Sequence, residues 1–212
     1  MDEQFWHQKW AKNEIRFHLS EANPKLVKYF GELKLYENSR IFLPLCGKTK
    51  DIGWLLSNGH SVVGAELSEA AITQLFEELE LEPTVTAAGS MKLYSAENID
   101  IYVGNIFDLT DRMLGLVDAV FDRGALVALP AEMRKRYAAH IIDITEGAHQ
   151  LLICLEYDPA LRNGPPFPIT DTEVTQHYFD TYQLKLLVKD PLPHEEFDIS
   201  PVTENAWLLK NK

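Results

Sequence analysis

From about residue 40 onward, short apolar runs alternate with stretches whose apolar residues recur at helical spacing, and that order admits few folds. Strand, helix, strand repeated in this way builds a parallel sheet covered by helices on both faces. Arg40 to Leu45 reads as the first strand. Ile52, Leu55 and Leu56 then share one helical face, and Asn58-Gly59 supplies the stop. His60 to Leu67 reads as the second strand, and Ser68 caps a helix whose buried stripe is Ala71, Ile72, Leu75, Phe76 and Leu79. Further strands are expected at Ile99 to Val103, Val117 to Asp122 and Gln150 to Glu156. Pro130 starts a helix between the last two, with Met133, Tyr137, Ile141 and Ile144 on one face. Tyr182 to Val188 and Asn205 to Lys210 read as two more strands. The acidic, Pro-containing segment between them is too poor in apolar residues for a covering helix, so a hairpin closes the sheet. The expectation is an α/β chain with a doubly wound, seven-stranded, mostly parallel sheet and an antiparallel last strand.

Residues 1–39 stand outside this alternation. Phe5, Trp6, Trp10, Phe17, Leu26, Tyr29 and Phe30 give them much aromatic surface and a partly helical period. Two readings stay open: a helix that packs on the sheet edge, or a lid over a ligand site, since open sheets bind ligands at the carboxyl ends of their strands and need water excluded there. The chain is expected to be one domain over 1–212, with 1–39 as the N-terminal segment and 40–212 as the sheet core.

The first loop, "PLCGKTKD", contains Gly47-Lys48-Thr49 and so invites a phosphate-loop reading. A phosphate-cradling loop needs a glycine five positions before Gly47, and Phe42 stands there, inside the strand. A dinucleotide fingerprint needs three glycines, and the loop offers one; the string reads as the turn after the first strand, with Lys48 in solvent. Glu66 lies 19 positions after Gly47, close to the spacing of about 20 at which an acidic residue ending the second strand takes ribose hydroxyls. The alternative is an exposed strand-end glutamate. A nucleoside-bearing cofactor without phosphates fits the pattern, and S-adenosylmethionine is one: its cationic sulfonium tolerates a glycine-poor loop and favours aromatic faces, which Trp10 or Phe17 could supply.

A formal net charge of −12, with no local cluster of Lys and Arg, argues against a nucleic-acid partner. Cys46 and Cys154 lie in unlike contexts with no paired spacing, so they read as reduced thiols, and His18, His60 and His194 lack metal-ligand spacing; no metal is expected. The acidic N-terminus has no signal-peptide character, and no apolar run approaches the ~20 residues of a membrane span. A cytoplasmic protein without membrane attachment follows as the expectation. Nothing resembles a coiled coil, and a monomer is expected.

The strings "FWHQKW", "RFH", "FLPLCGK", "GHSVVGAELSE", "IFDL", "DRGALVAL" and "YDPALRNGPPF", in this order, resemble the thiopurine S-methyltransferase family from about Phe5 to about Leu209. The resemblance implies the class I S-adenosylmethionine-dependent methyltransferase fold, in its bacterial type, with an N-terminal helical lid. It implies that Trp10, the backbone of Leu45, Glu66, Asn105, Ile106 and Arg123 bind the cofactor, and that Phe17, His18 and Phe167 face the acceptor. Arg123 and Asp122 are the implied catalytic groups, Arg123 favouring a thiolate and Asp122 or His18 relaying a proton. The simpler alternatives are core positions for Leu45 and Ile106, and an ion pair between Arg123 and Asp122 or another acid. In one respect the chain departs from the family: no arginine follows Arg162, and Lys189 and His194 are the only cations of the segment before the last strand where a substrate-side arginine is expected.

The implied reaction is methyl transfer from S-adenosylmethionine to the sulfur of a small aromatic or heterocyclic thiol, with selenium or tellurium compounds as further acceptors in a detoxifying role. Such thiols are acidic enough to need no dedicated strong base; alignment and exclusion of water suffice. A nicotinamide-dependent reductase would share the sheet and Glu66 but lacks its glycine fingerprint. A non-enzymatic S-adenosylmethionine-binding module of the same fold is the other alternative. Cys46 has no activating His or Asn beside it in sequence and reads as a packing residue.

Overall fold

The computed structural model describes residues 3–15, 17–193 and 199–212. Arg16 of the "RFH" string and His194 lie outside them.

Among the described residues nine strands form one sheet: β1 (Arg40–Pro44), β2 (Ser61–Glu66), β3 (Thr84–Ala88), β4 (Met91–Ala96), β5 (Ile99–Val103), β6 (Ala119–Arg123), β7 (His149–Glu156), β8 (Tyr182–Pro191) and β9 (Thr203–Asn211). Their order across the sheet is β3-β4-β5-β2-β1-β6-β7-β9-β8. The five central strands, β5, β2, β1, β6 and β7, run parallel, while β9 is antiparallel to β7 and β8 to β9. All seven expected strands are present. The hairpin of β3 and β4, antiparallel to β5, extends the opposite edge and brings the count from seven to nine.

Alternate residues of the central strands feed two cores, one on each face. On one side Ile41 and Leu43 of β1 and Val62 of β2 meet helices α3 (Lys50–Ser57) and α4 (Glu69–Glu78) through Ile52, Leu55, Ile72, Leu75 and Phe76. On the other, Phe42, Val63, Val120 and Leu152 meet α6 (Ala131–Ile144) and α7 (Asp171–Tyr178) through Tyr137, Ala138, Ile141, Val174 and Tyr178. Period-2 alternation along each strand thus becomes two apolar layers. At about 25 cal/mol per Å² of apolar surface, each fully buried Leu, Ile or Phe contributes roughly 1.5–3 kcal/mol before the entropy of ordering is subtracted.

The helices start where the sequence places caps. Thr49 caps α3 and Ser68 caps α4 with their side chains, each accepting a backbone N–H of the first turn. Helix α6 begins after Pro130, as expected, and buries Tyr137, Ile141 and Ile144 together with Arg134, while Met133 lies at the margin. The N-terminal segment holds α1 (Glu3–Ala11) and α2 (Pro24–Tyr29), the second capped by Asn23. The short helix α5 (Asp111–Leu114) follows β5. No helix among the described residues is long and apolar enough to cross a membrane.

Candidate functional site

The carboxyl ends of β1, β2, β5 and β6 open at one edge of the sheet, and the loops that leave them carry the candidate residues. The loop after β1 turns sharply because Leu45 and Gly47 both have positive φ, 48° and 54°. For Gly47 the requirement is double. A Cβ built there would stand 2.8 Å from Cζ2 of Trp10, so the absence of a side chain lets the indole of α1 lie on the loop. Trp10 is 6% exposed and meets the Phe17 ring edge-on at 5.6 Å.

Glu66 ends β2 beneath this loop and is 7% exposed, which excludes the exposed strand-end alternative. Its Oε2 accepts the Gly47 N–H at 2.8 Å, and its Oε1 accepts the Ser68 N–H at 2.8 Å. Burial pushes the carboxyl above the usual range, and the N–H groups of Ser68 and Gly47 oppose the rise. A carboxylate offers about four lone-pair sites, and the N–H groups of Ser68, Gly47 and Leu67 leave room for a ribose hydroxyl. The Gly104 N–H donates to the Glu66 carbonyl at 2.9 Å, which brings the turn after β5 alongside. In that turn Asn105 Oδ1 accepts the Phe107 N–H, its Nδ2 donates to Glu3 of α1 at 2.8 Å, and Ile106 is buried.

Helix α1 therefore spans the crevice, touching the β5 turn through Glu3 and the β1 loop through Trp10. Its chain continuation is tied at two further points. Arg123, at the end of β6, donates from Nη2 to the Phe17 carbonyl at 2.9 Å. Asp51, 1% exposed at the start of α3, accepts the Asn23 N–H at 2.6 Å and the Thr49 hydroxyl at 2.7 Å. The N-terminal segment lies over the carboxyl ends of the strands and also, through Leu26 and Leu33, on one face of the sheet at β7, not along its edge.

Two further site candidates lie on the N-terminal segment and on the strap after β7. His18 is half-buried; desolvation, then the Lys48 charge, holds its imidazole below the ordinary value. Phe167 belongs to the strap between β7 and α7, fixed by the Phe167 N–H to the Val127 carbonyl at 2.6 Å and by the Ile169 N–H to the Leu155 carbonyl at 2.7 Å. Its ring lies 5.9 Å from the Arg134 guanidinium.

Three expectations change. Asp122 does not pair with Arg123 and has no exposed surface: Oδ1 accepts the Leu126 N–H at 3.2 Å and Oδ2 the Tyr137 hydroxyl at 2.7 Å. Its carboxyl, raised to about 6 by burial, anchors the turn after β6 from below and is not placed as a proton relay. Lys48, expected in solvent, pairs with Glu78 at 2.7 Å, beside Lys50 at 2.6 Å. Lys189, one of the two cations left to the substrate-side segment, is engaged by Glu156 at 2.5 Å and Asp171 at 3.6 Å.

Cys46 is buried against Gly64, its Sγ 2.9 Å from where a Cβ of that glycine would stand, and burial pushes its thiol well up. That is a packing position. Glu3 and Asp51, ties between the N-terminal segment and the loops, carry no local sequence signal, because both contacts join elements far apart in the chain.

The residues present suit a nucleoside without phosphates. One glycine turns the loop, a buried carboxylate ends the neighbouring strand, and an indole covers the loop instead of leaving its N–H groups open to a pyrophosphate.

Solved structures with this architecture include methyltransferases. The 1,6-didemethyltoxoflavin-N1-methyltransferase of Burkholderia thailandensis, with bound 1,6-didemethyltoxoflavin and S-adenosylhomocysteine, matches 99% of the chain and 87% of its own at a TM-score of 0.68 and 13% identity. The magnesium protoporphyrin IX methyltransferase of Synechocystis PCC 6803, with bound S-adenosylhomocysteine, matches 99% of the chain and all of its own at 0.64 and 12% identity. The fold is that of the class I S-adenosylmethionine-dependent methyltransferases.

Sequence narrows the class. The family model for thiopurine S-methyltransferase matches residues 1–212. A thiopurine S-methyltransferase of Teredinibacter turnerae is 46% identical over 209 residues, covering 99% of this chain and 97% of its own. One from Xanthobacter autotrophicus is 46% identical over 211 residues, covering 99% of each. The chain belongs to the thiopurine S-methyltransferase family.

Proposed function

We propose that the protein transfers the methyl group of S-adenosylmethionine to the sulfur of a small aromatic or heterocyclic thiol. The observation that carries this reading is the Glu66 carboxylate, buried at the end of β2 and held there by the Gly47 and Ser68 N–H groups. Bound there, S-adenosylmethionine would supply an electrophilic methyl on sulfonium sulfur and leave as S-adenosylhomocysteine.

The chain's own groups divide the remaining tasks. Glu66 accepts the ribose hydroxyls, the Leu45 backbone and Trp10 enclose the amino-acid side, and Asn105 with Ile106 bounds the adenine. Phe17 and Phe167 flank the acceptor and exclude water, and His18 borders it in its neutral form. Arg123 projects from the end of β6 and favours the acceptor as thiolate, the proton passing to solvent; such a charge at a desolvated site contributes a few kcal/mol. Asp122 acts through the turn that carries Arg123, so it is a positioning group.

In this reading residues 1–212 are one methyltransferase domain, monomeric and cytoplasmic, with 1–39 as its lid and with no affinity for nucleic acid at a net charge of −12. Selenium and tellurium compounds, soft nucleophiles like thiolates, fall within the acceptor class. The test is incubation with S-adenosylmethionine and a panel of aromatic and heterocyclic thiols, with products read by mass spectrometry. Methylation at sulfur is expected; a folded protein that binds the cofactor and methylates none of the panel would contradict the reading.

A further inference from the structure

The turn assigned to the adenine is gripped from outside the crevice. His140, in the third turn of α6, has Nε2 2.8 Å from the Ile106 carbonyl. A carbonyl can only accept, so this nitrogen carries the proton and donates. The same carbonyl accepts the Leu109 N–H at 3.2 Å, which fills both of its lone pairs. The His140 ring also lies 5.6 Å from that of Phe107. Four residues earlier on the same helical face, the Arg136 guanidinium sits 3.9 Å from the Phe107 centroid. On its other side the turn is held by Ser90, whose hydroxyl donates to Asp108 at 2.9 Å, and by Glu3, which accepts from Asn105.

We propose that His140 is a positioning residue for the cofactor: by fixing the Ile106 carbonyl it sets the peptide planes of the turn that receives adenine. The inference rests on the reading of that turn as the adenine site. It follows from geometry that a peptide plane held at its oxygen is held on both sides, and that a recognition turn ordered before binding spends less of its affinity on ordering. His140 acts through the Ile106 carbonyl and the Phe107 ring, so its effect should fall on cofactor affinity and not on the methyl-transfer step.

The test compares wild type, His140→Ala and His140→Gln by calorimetric titration with S-adenosylhomocysteine and with 5′-methylthioadenosine, which keeps the adenosine half and lacks the amino acid. Loss of one ordered hydrogen bond predicts about tenfold weaker binding of both ligands by the alanine variant. Glutamine, which also presents a side-chain N–H, should recover affinity to within about threefold of wild type. The KM for S-adenosylmethionine should rise with kcat unchanged at saturation. Unaltered binding by His140→Ala, no recovery by His140→Gln, or a parallel fall in kcat would each overturn the proposal while leaving the cofactor reading intact. Wild type that bound neither ligand would overturn both.

Discussion

Arg123 Nη2 donates to the Phe17 carbonyl at 2.9 Å, joining the end of β6 to a residue 106 positions earlier in the chain. One guanidinium thus ties the N-terminal segment to the end of β6, and in the proposed reading it also presents positive charge to the acceptor sulfur. Arg123→Ala removes the charge, while the ties through Trp10, Glu3 and Asn23 still hold the segment. Turnover should fall on the order of a hundredfold, as for loss of a preorganised charge-stabilising group, with S-adenosylhomocysteine affinity changed less than about threefold. Steady-state kinetics beside calorimetry separates the two, and equal losses in both would contradict the division of roles.

Gly47 and Trp10 form a second test of the closed arrangement. Gly47→Ala introduces a Cβ 2.8 Å from the indole at a φ of 54°. The left-handed conformation alone costs an alanine about 1 kcal/mol, and the clash adds to it. The variant should melt several degrees lower and bind S-adenosylhomocysteine more weakly. In a Trp10→Ala background the same substitution should cost less, because the clash is gone; strict additivity would show that the indole does not lie on the loop.

Asp122 gives the stability a readable pH dependence. Burial raises its folded-state value to about 6 from the ordinary 3.8. The native state therefore keeps a proton that the unfolded chain releases, and stability falls as pH rises between about 4 and 6. The whole effect is on the order of 3 kcal/mol. Urea unfolding of Asp122→Asn across that range should show a shallower decline than wild type. An unchanged slope would mean that Asp122 does not hold the proton.

Cys46 and Cys154 are both buried, and burial pushes both thiols well above their ordinary value. Neither should react with an aromatic disulfide reagent at neutral pH on the timescale of minutes until denaturant is added. Rapid labelling of Cys46 in the native protein would show a loop more open than the one described.

Much of this architecture is written in the chain because its signals are periodic. Ile41, Leu43 and Val62 alternate with Phe42 and Val63, and the two sets go to opposite cores. The β3–β4 hairpin escapes such reading because it has little to bury: Thr84 to Ala87 are exposed and Ala88 only partly covered, so the strand exists by edge pairing and shows no apolar stripe. Glu66 is legible from its spacing after Gly47. The grips on the turns are not, since Glu3 to Asn105 and His140 to the Ile106 carbonyl join groups 102 and 34 positions apart that carry no local pattern. The engagement of Lys48 by Glu78 is hidden in the same way, as two polar residues that sequence alone places in solvent.

The methyltransferase reading stands on Glu66, and calorimetric titration of S-adenosylhomocysteine into wild type and Glu66→Ala examines it. Glu66→Ala removes the proposed ribose acceptor and leaves the Gly47 and Ser68 N–H groups without their partner, so binding should weaken by at least about a hundredfold from the micromolar range, while the melting curve confirms a folded variant. No binding by wild type, or equal binding by both proteins, would contradict the assignment of Glu66 and of the crevice above it.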